Sequence, residues 1–255
     1  MAQLLWQPAF PTNRGVFAVL LKGVGKLRLV VVWRETWRRR RKMFIKQFRT
    51  GGDRNFGYLI ADAASKKTLV IDPSFSPERI VDFAYKKGYQ IVYIFVTHDH
   101  FDHTNGNATI ERLTGARPLL YGDTDPKTGV CVEDGSSFPL GKLEVKIIHT
   151  PGHTTDSICL YVGDSLFTGD TLFVGKVGGT DLGAGARAEY DSLREKLLPL
   201  PDETRVFPGH DYGVAPESTI GVERRSNPFL IQPDFEAFLD LKRNWLAYKE
   251  EHGIA

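Results

Sequence analysis

Cysteine is scarce in this chain: two residues among 255, Cys131 and Cys159, with no C-x-x-C pair. That excludes a disulfide framework and a cysteine-rich zinc ribbon, and it suits a reducing, cytoplasmic setting. Both cysteines lie in or beside apolar runs and read as small buried hydrophobes. A long uncharged apolar run is also missing. The most apolar stretch, 16–32, is interrupted by Lys22, Lys26 and Arg28, whereas a membrane span needs about 20 mostly uncharged residues. No short-period repeat and no low-complexity tract is present.

Acidic residues are nearly absent from 1–42, where Glu35 stands alone against ten Lys/Arg; the remainder holds 23 basic and 30 acidic residues. An acidic body gives no support to a nucleic-acid partner, because a duplex binder needs phosphate-neutralising charge around its site. The imbalance marks 1–42 as a basic N-terminal extension outside the core, with a functional domain over 43–255. A membrane-surface segment bearing Trp33 and Trp37, or an organelle-targeting peptide, stays open for it. The order of a secretory signal is reversed here, since the heaviest charge, 38–42, follows the apolar stretch.

From Met43 onward, apolar β-rich runs alternate with turn signals. Strands are expected over 44–48, 56–61, 68–71, 90–96, 119–121, 144–148, 158–162, 166–167 and 205–207. Helices are expected from Pro77 to the stop at Gly88, over 104–113 to Gly115, over 189–198, and over 234–250. Strands with helices at intervals point to sheets covered by outer helices.

What the chain does have is histidine at the ends of those strands. Four clusters stand out: Thr97-His98-Asp99-His100-Phe101-Asp102-His103, Thr150-Pro151-Gly152-His153, Thr168-Gly169-Asp170 and Phe207-Pro208-Gly209-His210. Neutral imidazole is the commonest nitrogen ligand for zinc and iron, and carboxylate completes such sites. In extended backbone His98, His100 and Asp102 share one face, and a turn can swing Asp102 and His103 toward a neighbouring centre. The expected grouping is His98, His100 and His153 at one ion and Asp102, His103 and His210 at another. Asp170 lies between them, its two oxygens suited to a bridge. Two ions about 3.5–4 Å apart can share a water and lower its pKa toward 7. Asp72, at a strand end, is a candidate carboxylate behind a ligating histidine; a plain Asp-Pro turn is the alternative. His149 reads as structural, His252 as solvated, and Asp99 as a loop acid or outer-shell group.

The run from His98 to His103, with His153, Asp170 and His210, resembles the metallo-β-lactamase superfamily over about residues 43–228. The resemblance implies an α/β (α+β) four-layer αβ/βα sandwich with its metals at one edge between the sheets. Thr97–His103 with Thr104-Asn105-Gly106-Asn107, and Ile148–His153 with Thr154, are similar to glyoxalase II (hydroxyacylglutathione hydrolase). Gly179-Thr180-Asp181, Pro208–Tyr212 and Arg225–Pro228 are similar to the persulfide dioxygenases. The sequence departs from both. Only 45 residues follow His210, where glyoxalase II carries a longer helical domain. No aromatic stands near Gly178-Gly179, and Gly179 replaces the arginine usual in the dioxygenases. The lactamases of related type place a cysteine where Asp170 stands, so a lactam substrate is disfavoured.

The resemblance implies two divalent ions, zinc foremost with iron open, and Asp102 as the catalytic carboxylate. The favoured activity is a metallo-hydrolase of the thioester or ester class, in which activated hydroxide attacks a carbonyl. Its partner is a small molecule, such as a glutathione or other thiol conjugate. The alternatives are a non-haem dioxygenase with a single iron on His98, His153 and Asp170, a non-catalytic metal-binding module, and a nuclease of the same superfamily. The glycine-rich stretch 174–185 is expected to wall the mouth. Lys176, Arg187, Tyr212, Arg224 and Arg225 are candidate contacts for an anionic substrate.

Overall fold

The computed structural model describes residues 16–23, 26–33 and 43–253. Contacts divide the chain at Lys42 into two units. In the first, β1 (Val16–Gly23) and β2 (Lys26–Trp33) pair as an antiparallel ribbon. Trp37 and the basic run 38–42 lie outside the described residues.

The second unit contains two sheets. The first has the order β3 (Met43–Gly51), β4 (Asn55–Asp62), β5 (Lys67–Ile71), β6 (Gln90–Phe95), β7 (Pro118–Leu119). Between its strands come α1 (Pro77–Lys86), α2 (Phe101–Thr104) and α3 (Asn107–Thr114). The second sheet uses β8 (Ser137–Leu140), β9 (Leu143–His149), β10 (Ile158–Val162), β11 (Ser165–Gly169), and later β14 (Arg205–Pro208) and β15 (Ser218–Thr219). Its order is β15-β14-β11-β10-β9-β8. A small hairpin, β12 (Leu172–Phe173) with β13 (Lys176–Val177), leads to α4 (Ala184–Asp191). The chain closes with α5 (Ile220–Ser226), α6 (Phe235–Arg243) and α7 (Trp245–His252).

Period-2 alternation explains the layering, since successive strand side chains point to opposite faces. Phe56, Tyr58 and Ile60 of β4, Leu69 and Ile71 of β5, and Phe95 of β6 enter the core between the sheets. Ile158, Leu160, Val162, Phe167 and Phe207 meet them from the other side. The intervening Leu59, Ala61, Val70 and Ile94 pack outward with Ile80 of α1 and Ile110 of α3. Cys159, Leu166 and Val206 pack outward with Leu193, Ile220, Phe238 and Leu241. The result is the four-layer αβ/βα sandwich, with each sheet buried on both faces. Cys159 is fully buried, and burial pushes its thiol up to about 11. Among the described residues, no helix is long and apolar enough to cross a membrane.

Four expected elements differ in detail, the first being the strand over 119–121, which is only the two-residue β7, with Tyr121 already in a turn. The helix over 104–113 is two helices, because Asn105 turns aside to accept from Phe75 N–H at 2.7 Å. The helix over 189–198 starts earlier, at Ala184, and finishes in a π turn, Ser192–Leu197, closed by Leu198 N–H to Leu193 O at 2.9 Å. The last helix breaks at Asn244, whose Nδ2 donates to the Asp240 carbonyl at 3.1 Å and caps α6.

Candidate metal centre

Strand direction assembles the site. β5 and β6 run parallel, as do β11 and β14, so the segments after them emerge at common edges. Asp72 follows β5, Thr97-His98 follows β6, Asp170 follows β11, and Gly209-His210 follows β14. Two main-chain bonds join the sheets here: Phe56 N–H to Gly209 O, and Ile158 N–H to Thr97 O, each 2.8 Å. Gly169 has φ +48°, and a Cβ there would sit 2.6 Å from Thr97. Only glycine lets the β11 turn approach so closely.

Three groups of ligand-type atoms come together: His98 with His100 and His153, Asp102 with His103 and His210, and His98 with His103 and Asp170. His98 and His100 converge not from a straight extended run but across a bend over 97–99, with His100 itself extended. Asp102 does not join them, since α2 begins at Phe101 and turns it, with His103, toward His210. Asp170 reaches both groups, with Oδ1 3.4 Å from His103 Nε2 and Oδ2 3.6 Å from His153 Nε2 and 3.3 Å from His210 Nε2. His98, His103, Asp170 and His210 are buried; His100, Asp102 and His153 lie toward solvent.

The ring tautomers follow from the outer partners. His210 Nδ1–H donates to Asp53 O at 2.8 Å, and His153 Nδ1–H to Gly179 O at 2.6 Å. His103 Nδ1–H donates to Asp72 Oδ2 at 3.0 Å. Thr97 Oγ1 spends its proton on Asp72 Oδ2, so it accepts from His98 Nδ1–H at 3.1 Å. Each of these rings therefore turns a bare Nε2 inward. His103 Nε2 and His210 Nε2 stand 3.2 Å apart; His98 Nε2 and His153 Nε2 stand 3.0 and 3.1 Å from His100 Nδ1. Asp170 Oδ1 is buried and accepts no hydrogen bond. Lone pairs gathered this closely repel one another unless cations lie among them. The residues fit a metal, and a nitrogen and carboxylate set without sulfur suits zinc or iron.

Electrostatics sharpen the point. Burial and the neighbouring His103 push His98 down to about 2. Burial opposes protonation of His103 too, but Asp72, Asp170 and Asp102 push it up to about 9, so with no cation beside it a second proton occupies the inward Nε2 that a metal would take. Burial would raise Asp170, yet the neighbouring His210 and His103 hold it well below the usual carboxylate range.

Asp72 accepts from Thr97 N–H at 2.8 Å as well as from Thr97 Oγ1 and His103, an outer-shell position. Asn55 is a further orienting residue that the sequence reading lacks. It is fully buried, and its Nδ2 donates to Asp102 Oδ2 at 2.9 Å. An asparagine after Gly51-Gly52-Asp53-Arg54 reads as a turn former, so only the fold reveals its role. His149 bonds Thr155 O at 2.8 Å and stacks on Tyr121; it stays away from the centre. His252 stacks on Tyr248, and Asp99 contributes its main-chain N–H to Asp156.

Of the five anion contacts expected, three are engaged elsewhere: Arg187 pairs with Asp191, and Arg224 and Arg225 pair with Asp202. Tyr212 stacks on His210 with centroids 4.6 Å apart and donates to Asp53 at 2.6 Å. Lys176 Nζ lies over the Tyr212 ring at 4.7 Å and over Phe173 at 5.8 Å.

Comparison with known proteins agrees with this fold. The metallo-beta-lactamase superfamily model matches residues 50–210. A hydroxyacylglutathione hydrolase from Maricaulis maris is 39% identical over 67% of this chain and 67% of its own length. A probable polyketide biosynthesis zinc-dependent hydrolase, BaeB, from Bacillus velezensis is 30% identical over 78% of this chain and 90% of its own. The crystal structure of ETHE1 from Myxococcus xanthus superposes with TM-score 0.72 at 33% identity, covering 79% of this chain and 91% of that one.

Proposed function

This chain belongs to the metallo-beta-lactamase superfamily, and we propose that within it the protein is a metal-dependent thioester hydrolase of the hydroxyacylglutathione hydrolase kind. His98, His100 and His153 would hold one ion, Asp102, His103 and His210 a second, and Asp170 lies within reach of both groups. Zinc is the assigned metal. When bound, the ions supply Lewis acidity for a carbonyl oxygen and lower the pKa of water toward about 7.

The chain's own residues do the rest. Asp72, Gly179 O, Asp53 O and Thr97 fix the imidazoles in the tautomers that face inward. Asn55 Nδ2 holds Asp102 Oδ2, and the half-buried Asp102 carboxylate would accept the proton of the attacking water. Attack at the carbonyl carbon breaks the C–S bond. A thiol pKa of about 8.5 lets thiolate depart without a dedicated acid, consistent with the lack of another acid–base pair at the site.

The second triad, Asp102 with His103 and His210, is the observation that carries this reading. A lone iron on His98, His153 and Asp170 would leave that set of ligand atoms, two of its three residues buried, unused. The test is thioester cleavage of a hydroxyacylglutathione measured beside oxygen uptake with glutathione persulfide. Cleavage that disappears on chelation, without oxygen uptake, is expected; oxygen uptake without cleavage would overturn the assignment.

Lys176 supplies the substrate's charge partner. It is half-buried, and among the described residues no carboxylate lies within 4.0 Å of its ammonium. Burial and the nearby Lys249 lower its pKa, so a substrate carboxylate would relieve it. Lys176→Met should raise KM for a glutathione thioester about tenfold with kcat nearly unchanged, the mark of binding common to ground and transition states. Steady-state kinetics with charged and neutral thioesters check this: the neutral substrate should be indifferent to the change.

A further inference from the structure

α6 buries one cation. Lys242 is 6% exposed at its side chain, and its ammonium lies 2.6 Å from Oε2 of Glu189 on α4. The same ammonium donates to Gly178 O at 2.7 Å. Glu189 is fully buried. Burial pushes the carboxyl up to about 7, against the pull of Lys242. A charge pair sealed from water is a poor source of stability, because desolvation offsets its attraction and apolar replacements often do as well. Its placement therefore calls for another reason.

That placement is beside the metal-ligand segments. Glu189 packs so tightly on Gly152, the neighbour of His153, that a Cβ on Gly152 would come within 2.4 Å of Glu189 Cβ. Gly178 lies against the Asp170 carbonyl, where an added Cβ would be 2.0 Å away. The next carbonyl along, Gly179 O, accepts from His153 Nδ1 at 2.6 Å. One carbonyl is anchored by Lys242, and the adjacent one orients a ligand.

We propose that Lys242, with Glu189 as its counter-ion, is a positioning residue for the metal centre: by fixing the Gly178 carbonyl it aims the Gly179 carbonyl at His153 Nδ1 and so sets the direction of His153 Nε2. This rests on reading His98, His100 and His153 as a metal-holding group, and it is independent of which substrate is cleaved.

The decisive variant is the double replacement Glu189→Leu with Lys242→Met, which removes both charges and leaves apolar side chains of similar volume. It is compared with the unaltered full chain by thermal melting, zinc titration and the absorption spectrum of the cobalt-substituted protein. Melting should be close to that of the parent. Zinc affinity should fall about 10- to 100-fold, the range for losing an outer-shell partner, and the cobalt bands should shift because one imidazole is misaligned. A stable double variant with parental affinity and an unchanged cobalt spectrum would overturn the proposal. If the variant does not fold, hydrogen exchange in the unaltered protein decides. Because coupling is reciprocal, zinc must increase protection of α6 around Lys242, and no change there would equally overturn it. Neither readout uses thioester cleavage, so failure of the hydrolase reading and failure of this one are told apart.

Discussion

Asp170→Ala is expected to lower thioester cleavage on the order of a thousandfold, equivalent to about 4 kcal/mol of transition-state stabilisation. The effect should be this large because Asp170 touches both groups of histidines: Oδ1 faces His103, and Oδ2 faces His153 and His210. It is also the sole carboxylate in the group it forms with His98 and His103. Without it the only carboxylates left near those imidazoles are Asp72 and Asp102, both on the His103 side, and neither ion would keep its full set of donors. The fold should survive, because Asp170 stands after β11 and outside the inter-sheet cluster built on Phe167 and Phe207. Asp170→Asn, which keeps the shape but loses the charge, should retain more metal than the alanine variant. Metal content, melting temperature and rate measured on the same preparations separate loss of ligand from loss of structure. Near-parental activity in Asp170→Ala would remove the bridge from the account.

Asp72→Asn should weaken metal binding about 10- to 100-fold although Asp72 touches no metal. Both oxygens of Asp72 are occupied, one by Thr97 N–H and the other by Thr97 Oγ1 and His103 Nδ1. An amide cannot accept at both positions. With its NH2 toward His103 it meets a donor, and His103 then carries its proton on Nε2, the atom that must stay bare. With its NH2 toward Thr97 it leaves a buried main-chain N–H unpaired, at about 1–3 kcal/mol of stability. The backbone itself accepts the change, since Asp72 has φ +49° and asparagine tolerates that region as well as aspartate does. Competition against a zinc chelator reads the affinity. An unchanged constant would show that His103 is oriented without Asp72.

That these seven side chains gather in space could be expected ahead of the coordinates for a physical reason. A metal centre at strand ends leaves its donors in short fixed motifs, and β-branched apolar runs mark the strands that carry them. His98, His100, Asp102 and His103 lie within six positions, so their convergence depends only on local backbone. Asn55 and the pair Glu189 with Lys242 were hidden, because their meaning depends on contacts across 47 and 53 positions, between elements that no local periodicity joins. The same limit affected the arginines: Arg187, Arg224 and Arg225 are indistinguishable from substrate contacts until their partners Asp191 and Asp202 are in place. Helix ends were the least legible, with Asn105 and Asn244 breaking periodic runs through side-chain bonds to the main chain.

Elemental analysis of the purified chain, after dialysis against metal-free buffer, tests the central claim most directly. Two divalent ions per chain are predicted, with hydrolysis abolished by chelation and restored on adding zinc. A chain that retains no metal, or one that cleaves thioesters at full rate when stripped of it, would contradict the account.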